Sequence, residues 1–145
     1  LLFNIASSLS YANNVFSGNG VSLQDEIYFI QNKIIKDLAE KGSCVIVGRC
    51  GDHILEDVRP FRIFVYAELE HRIARCMERR TAEEVYSLEE MKQKVISVDK
   101  NRRKYYEYYT GKKWGDRLNY DLCVNTSRQE IKEIALALSS FISLG

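Results

Sequence analysis

The sequence lacks the features that mark membrane-spanning, disulfide-bonded or strongly basic proteins. No apolar run approaches the roughly 20 residues that cross a bilayer. The four cysteines form no CxxC pair, so the sequence indicates neither a zinc site nor a disulfide framework. The 21 basic and 20 acidic residues nearly cancel, so no global charge attracts nucleic acid or an anionic membrane. Any anion site must therefore be local.

The composition itself is that of a soluble globular domain. Of the 145 residues, 46% are hydrophobic and 28% are charged, which is enough apolar material for one sizeable core. We therefore expect a single domain over residues 1–145. The opening LLFNIASS has no basic flank typical of a signal peptide, so we expect a cytoplasmic protein. It also lacks an initial methionine, so we expect the sequence to be a piece of a longer protein.

The first candidate site follows an apolar run at residues 44–47. These four residues are rich in β-branched types, which is typical of a strand buried on both faces of a parallel sheet. Gly48 lets the backbone turn at the strand's carboxyl end, where open α/β sheets bind ligands. Arg49 then follows, and its guanidinium suits a phosphate or a carboxylate. The alternative is that Arg49 caps the sheet edge and pairs with Asp52.

The remaining pattern alternates helices with apolar strands. Residues 1–21 are ambiguous and end in a loop, after which Ser22 caps a helix that Gly42 stops. The pattern predicts strands at residues 62–67 and 121–125, and helices at residues 68–80, 87–111 and 128–144. Continuously apolar strands between helices indicate an α/β fold with a mostly parallel sheet. Three strands are few for that sheet, so we expect part of it to lie outside this sequence.

Three arginines share one face of the predicted helix at residues 68–80. Arg72, Arg75 and Arg79 are spaced by three and four residues, so they project together. They repel one another unless acidic neighbours or a bound anion compensate. One interpretation is a solvated basic face, and the other is a set of side chains that bind phosphates during phosphoryl transfer.

A second charged group lies on the long helix predicted over residues 87–111. Asp99 shares a face with Arg102 and Arg103. As an intrahelical ion pair this arrangement would contribute only about 0.2 to 0.5 kcal/mol. The alternative is a carboxylate that accepts hydrogen bonds from a sugar or base, beside an arginine that binds a phosphate.

Aromatic residues cluster at the end of the same helix. Tyr105 and Tyr109 continue an apolar helical stripe, so we expect them in the core. Trp114 lies in a loop between two glycines, where a rigid aromatic often serves as an anchor. Tyrosines interleaved with lysines can also stack nucleic-acid bases. An RNA-binding function ranks lower, because the net charge is near zero.

Three runs of the sequence resemble a known family. They are VIVGRCGDHIL, RIFVYAELEHRIARCMER and VDKNRRKYYEYYTGKKWGDRLNYDLCVNTS. Their most specific parts are GRC after a strand, the D-K-x-R-R-x-Y-Y run, and G-K-x-W-G-D followed by N-Y-D-L. Together they resemble the cytidylate kinase-like family of P-loop proteins, relatives of the nucleoside monophosphate kinases. The resemblance covers about residues 23–138.

The resemblance implies a P-loop kinase-like three-layer α/β/α fold with a parallel sheet of five strands. It implies a phosphate-binding loop after the first strand, an acceptor site and a lid at about residues 72–117. ATP and Mg²⁺ are implied as cofactors, and nucleotides as partners. The implied acceptor-binding residues are Arg49, Asp52, Asp99, Arg102 and Arg103, and the implied catalytic residues near the lid are Arg72, Arg75 and Arg79.

One family feature is missing from the sequence. No phosphate loop of the GxxxxGK[ST] kind occurs in it. In the family that loop follows a central first strand, which lies between the strands corresponding to residues 44–47 and 62–67. We therefore expect this central strand to lie outside the sequence. The expected function is phosphoryl transfer from ATP to a nucleoside monophosphate, nominally CMP; the alternative is a nucleotide- or phosphate-binding domain without transfer.

Overall fold

A computed structural model describes residues 22–81 and 84–142. The elements are α1 (Leu23–Glu40), α2 (Gly51–Ile54), β1 (Ile63–Tyr66), α3 (Leu69–Arg79), α4 (Leu88–Thr110), β2 (Leu122–Asn125) and α5 (Ile131–Ile142). The chain divides into two compact units, Leu1–Pro60 and Phe61–Gly145. The ambiguous residues 1–21 lie outside the described part. None of the described helices is long and apolar enough to cross a membrane.

Helix α1 confirms the predicted helix of the first unit. Its amino terminus is capped by Ser22, whose hydroxyl accepts a hydrogen bond from the Asp25 amide at 3.2 Å. Tyr28 and Ile35 are buried on its inner face. The helix ends at Glu40, just before Gly42, as the sequence predicts.

The predicted strand at residues 44–47 is wrong for the described structure. These residues have no regular secondary structure, and Val45 and Val47 are 87% and 74% exposed. A strand exists only when its backbone groups find a partner strand, and no described strand pairs with this segment. The apolar pattern thus marks a segment suited to a sheet, but residues 22–81 and 84–142 supply no neighbouring strand for it.

The second unit is built on a parallel pair of strands. β1 and β2 pair in register from Ile63 with Leu122 to Tyr66 with Asn125. Both strands were predicted, each within two residues of its observed ends. A parallel strand pair joined by helices is compatible with the expected α/β class.

An ion pair closes the amino-terminal end of this strand pair. Arg62 Nη2 lies 2.9 Å from Asp121 Oδ1, and Arg62 Nε donates to Asp121 Oδ2 at 3.1 Å. The Arg62 backbone amide donates to the same carboxylate at 2.7 Å. Two parallel side-chain bonds and one backbone bond therefore fix the register where the strands begin.

Helices α3 and α4 confirm the predicted helices and pack against each other. Their shared core is Ile73 from α3 with Met91 and Val95 from α4. Ser87 and Glu90 form a capping box, in which the Ser87 hydroxyl accepts the Glu90 amide and the Glu90 carboxylate accepts the Ser87 amide. The last helix, α5, lies within the predicted range of residues 128–144, whose final residues are outside the described part.

The aromatic residues have a packing role in the described structure. Trp114 meets the ring of Phe64 edge to face, with centroids 5.5 Å apart, and Tyr120 lies 4.9 Å from the same ring. A Cβ atom at Gly115 would lie 3.1 Å from the Phe64 ring, and the φ angle of 76° also favours glycine at this position. Trp114 thus anchors its loop to the sheet. Tyr105 and Tyr109 are half-buried, and the buried tyrosine is their neighbour Tyr106.

Replacing Asp121 by asparagine tests the ion pair between the strands. Hydrogen bonds from Arg62 lower the pKa of Asp121 below its ordinary value of 3.8. The stabilisation is therefore complete above that pH and is lost as the pH falls through the lowered pKa. We expect Asp121→Asn to reduce the free energy of unfolding by about 0.5 to 1 kcal/mol at pH 7, because the pair is partly exposed.

Urea unfolding between pH 2 and pH 7 measures this effect. The difference between wild type and Asp121→Asn should shrink on acidification below about pH 4. Asp37→Asn, at an exposed position on α1, is the matched control and should not reproduce the loss of stability at pH 7. A difference that stays constant across the acid range would contradict the assignment.

Candidate functional site

The candidate site residues are divided between the two units. Arg49 and Asp52 belong to Leu1–Pro60, and each unit is described separately. The other six lie on two packed helices of Phe61–Gly145. Arg72, Arg75 and Arg79 are on α3, whereas Asp99, Arg102 and Arg103 are on α4.

Arg49 lies in an unusual left-handed turn. Gly48, Arg49 and Cys50 have consecutive φ angles of 70°, 56° and 56°. A residue with a side chain loses about 1 to 2 kcal/mol in this conformation. Such strain persists where the surrounding structure holds the backbone, and it occurs frequently at ligand sites. The turn places a half-buried arginine two residues before the start of α2.

The residues around this turn are tightly packed. A Cβ atom on Gly51 would lie 2.7 Å from the Ile46 side chain, so α2 lies directly against Ile46, which is half-buried whereas its neighbours in residues 43–47 are exposed. Cys50 is buried, and burial raises the pKa of its thiol to about 12. The Asp52 charge raises this pKa further, whereas the Arg49 charge lowers it. Both predicted ligand-binding residues therefore act electrostatically on one buried thiol.

Arg72 and Asp99 join α3 to α4. Arg72 Nη1 donates a hydrogen bond to Asp99 Oδ2 across 27 positions of sequence. Arg102 approaches the other oxygen of the same carboxylate at 3.8 Å. The arginine face of α3 and the charged group of α4, which are separate in the sequence, thus meet at the Asp99 carboxylate. The positive charge of Arg72 is compensated by this contact.

Arg75 is held by neutral groups instead. Its Nη1 donates to the Thr126 hydroxyl at 2.9 Å, and its Nη2 donates to the Thr126 carbonyl oxygen. Thr126 comes directly after β2, so this contact ties α3 to the carboxyl end of the sheet. No carboxylate forms an ion pair with Arg75 among residues 22–81 and 84–142.

Thr126 and Ser127 belong to a hydrogen-bond network that the sequence does not reveal. They are the buried polar residues of the described chain, at 3% and 7% exposure. The Thr126 amide donates to the Tyr66 carbonyl at 2.8 Å, and the Ser127 hydroxyl accepts from the Glu68 amide at 2.8 Å. The only sequence signal is a pair of small hydroxyl residues directly after a predicted strand.

Arg79 and Arg103 are exposed. In the described part of the chain, neither side chain has a hydrogen bond or an ion pair. The three arginines of α3 therefore differ: Arg72 is neutralised, Arg75 is oriented but uncompensated, and Arg79 is fully available. Such an arrangement can bind an anion at the end of α3 that lies beyond Arg72.

Mg²⁺ is the metal ion that the family resemblance implies. A Mg²⁺ ion bound by protein needs oxygen ligands from carboxylates, usually beside substrate phosphates. No cluster of three histidine, cysteine, aspartate or glutamate residues suited to a metal occurs within residues 22–81 and 84–142.

Comparisons with known proteins agree with the resemblance in the sequence. The model of the cytidylate kinase-like family matches residues 3–128. The crystal structure of an uncharacterized protein from Eubacterium ventriosum is similar in fold, with a TM-score of 0.75 and 28% sequence identity. The similarity covers 85% of this chain and 68% of that chain. Among curated proteins, none matches the chain.

Alkylation tests the environment of Cys50. The thiolate is the reactive form, and a pKa of about 12 keeps Cys50 protonated at pH 8. We expect iodoacetamide to modify the exposed Cys44, Cys76 and Cys123 in the native protein and to spare Cys50. Peptide mass spectrometry identifies the modified positions, and all four should react in denaturant. Rapid native alkylation of Cys50 would show that the turn is open.

A double-mutant cycle tests the contact between Arg72 and Asp99. Their side chains are 31% and 21% exposed, so we expect a coupling on the order of 1 kcal/mol in urea unfolding. The cycle compares Arg72→Ala, Asp99→Ala and the double variant. Arg102 with Asp99 is the internal control, where a 3.8 Å exposed contact should couple by about 0.5 kcal/mol or less. Equal couplings in the two cycles would refute the assignment of Arg72 as the principal partner.

Proposed function

Because the chain belongs to the cytidylate kinase-like family, we propose that it is part of a nucleoside monophosphate kinase-like phosphotransferase. Its nominal acceptor is CMP, and ATP is the phosphoryl donor. The family match supports a kinase-like function, and the acceptor, the donor and the transfer itself are our proposals.

The observation that carries this proposal is the uncompensated charge at the end of α3. Arg75 and Arg79 have no carboxylate partner in the described structure, whereas Asp99 neutralises Arg72. Two guanidinium groups on one helix face, four positions apart, repel unless an anion lies between them. A phosphoryl group in transit carries such charge, and arginines that contact it stabilise the transition state.

The acceptor role is assigned to two groups of residues. Arg49, held in its left-handed turn, binds the monophosphate through charge-assisted hydrogen bonds, and Asp52 orients it. On α4, Asp99 accepts hydrogen bonds from the sugar or base, since an ionised carboxylate only accepts. Arg102 and Arg103 supply positive charge beside Asp99.

Two structural observations support the complete P-loop kinase-like, three-layer fold. The described sheet has only two strands, so each strand has one edge without a partner in the described chain. Val45 and Val47, in a segment with the composition of a strand, are exposed. A further central strand, followed by a phosphate loop, would pair with the free backbone N–H and C=O groups at such strand edges. In this proposal residues 1–145 are one domain and residues 72–117 form a lid-like region.

ATP would supply the phosphoryl group, and Mg²⁺ would neutralise its negative charge. The arginines of this chain would bind and orient the phosphates.

A non-catalytic nucleotide-binding domain is the second candidate, and one observation favours it. The sequence holds no GxxxxGK[ST] loop to cradle the β- and γ-phosphates.

Calorimetric titration with CMP and with cytidine tests the acceptor site. We expect CMP to bind more tightly than cytidine, because Arg49 contacts the phosphate. Arg49→Ala should weaken CMP binding by about 10- to 100-fold, the loss expected for charge-assisted hydrogen bonds, and should leave cytidine binding unchanged. Arg59→Ala is the matched control, since Arg59 is exposed in the same unit and should have no effect.

The outcomes separate the candidates. Formation of ADP and CDP from ATP and CMP supports the phosphotransferase. Binding of CMP without turnover supports the non-catalytic domain. Equal affinity for CMP and cytidine, or an unchanged affinity in Arg49→Ala, would overturn the acceptor assignment.

A further inference from the structure

We propose that Thr126 is a positioning residue that aims the Arg75 guanidinium at a phosphoryl group. The inference rests on the proposed function and names a residue that neither the sequence motifs nor the family resemblance singles out. Its basis is the contact between Arg75 and the first residue after β2, 51 positions further along the chain.

Thr126 has the features of an orienting group rather than a ligand-binding one. It is 3% exposed, so its side chain is not available to a ligand. Its hydroxyl donates to the Tyr66 carbonyl at 3.2 Å and accepts from Arg75 Nη1, so both functions of the hydroxyl are used. Its backbone amide is bound to the same Tyr66 carbonyl. Thr126 is thus fixed to the end of β1 before it holds Arg75.

The geometry restrains the guanidinium without neutralising it. One hydroxyl and one carbonyl accept from two nitrogens of Arg75, which fixes the plane of the group. Neither acceptor carries a charge, so the positive charge stays available. Two of the five N–H donors are used by Thr126, which leaves three for a bound anion. Arg72 shows the contrast, since its partner Asp99 orients and neutralises it at once.

The position of Thr126 indicates where the Arg75 guanidinium lies relative to the sheet. It follows the carboxyl end of β2, beside the carboxyl end of β1. Open parallel sheets bind ligands at this edge. Arg75 therefore presents its remaining donors at the edge of the sheet where phosphoryl groups are bound. Arg79, one turn further along α3, adds a second charge on the same face.

The test compares Thr126→Val, which removes the hydroxyl at constant shape, with Thr126→Ser, which keeps it. The probes are inorganic tripolyphosphate, for the arginines of α3, and CMP, for the Arg49 site. We expect Thr126→Val to weaken tripolyphosphate binding on the order of tenfold, the loss expected when one charge-assisted hydrogen bond is displaced. Thr126→Ser should bind as the wild type does, and CMP affinity should be equal in all three proteins.

The Arg75→Ala background distinguishes positioning from a structural role. If Thr126 acts through Arg75, Thr126→Val causes no further loss of tripolyphosphate affinity once Arg75 is removed. An equal loss in both backgrounds, a parallel loss of CMP affinity, or an unchanged affinity in Thr126→Val would overturn the inference. Thr126→Ala replaces Thr126→Val in the same comparisons if the valine variant does not fold.

The failure of the proposed function has a different signature. If the wild type binds tripolyphosphate and responds to Thr126→Val but does not prefer CMP over cytidine, the acceptor assignment fails and the positioning role stands. If the wild type does not bind tripolyphosphate, Arg75 presents no charge to phosphoryl groups and the positioning role is refuted.

Discussion

The parallel ladder between β1 and β2 is the interaction on which the second unit depends. It is only four residue pairs long, and it is fixed at both ends by side chains. Arg62 and Asp121 hold the strands where they begin, and Thr126 binds Tyr66 where they end. Because a one-residue slip would reverse every side chain between the two faces, these end contacts specify the register. They also determine where α3 starts and where Arg75 finds its acceptor.

The arrangement of charge on α3 follows from that register. One carboxylate on α4 reaches one arginine of α3, and the loop after β2 reaches the next. The uncompensated positive charge of α3 therefore increases along the helix, from a neutralised arginine near its beginning to an exposed arginine at its end. In a helix with three equivalent, uncompensated arginines, the neighbouring guanidinium groups would repel one another. Here two different partners restrain two of them, and only the last depends wholly on solvent or a ligand.

Local pattern was sufficient to predict most of the helices and strands but not their partners. The helical stripe of α4 and the apolar runs of β1 and β2 are local properties, and they were placed within a few residues. Residues 44–47 failed, because a strand is completed by a neighbour that its own sequence does not encode. The spacing of Arg72, Arg75 and Arg79 predicted a shared face. It could not reveal Asp99 or Thr126 as partners, because contacts across 27 and 51 positions arise only from folding.

The exposed apolar segment also affects how the protein behaves in solution. Residues 43–48 read SCVIVG, a stretch without charge or proline that is rich in β-branched residues. Such segments, when their backbone groups are unpaired, associate with identical copies in neighbouring molecules and form stacked strands. The same residues that would complete a sheet inside one molecule can therefore drive aggregation between molecules. A charged residue in place of Val45, which is 87% exposed, would act as a gatekeeper against this association.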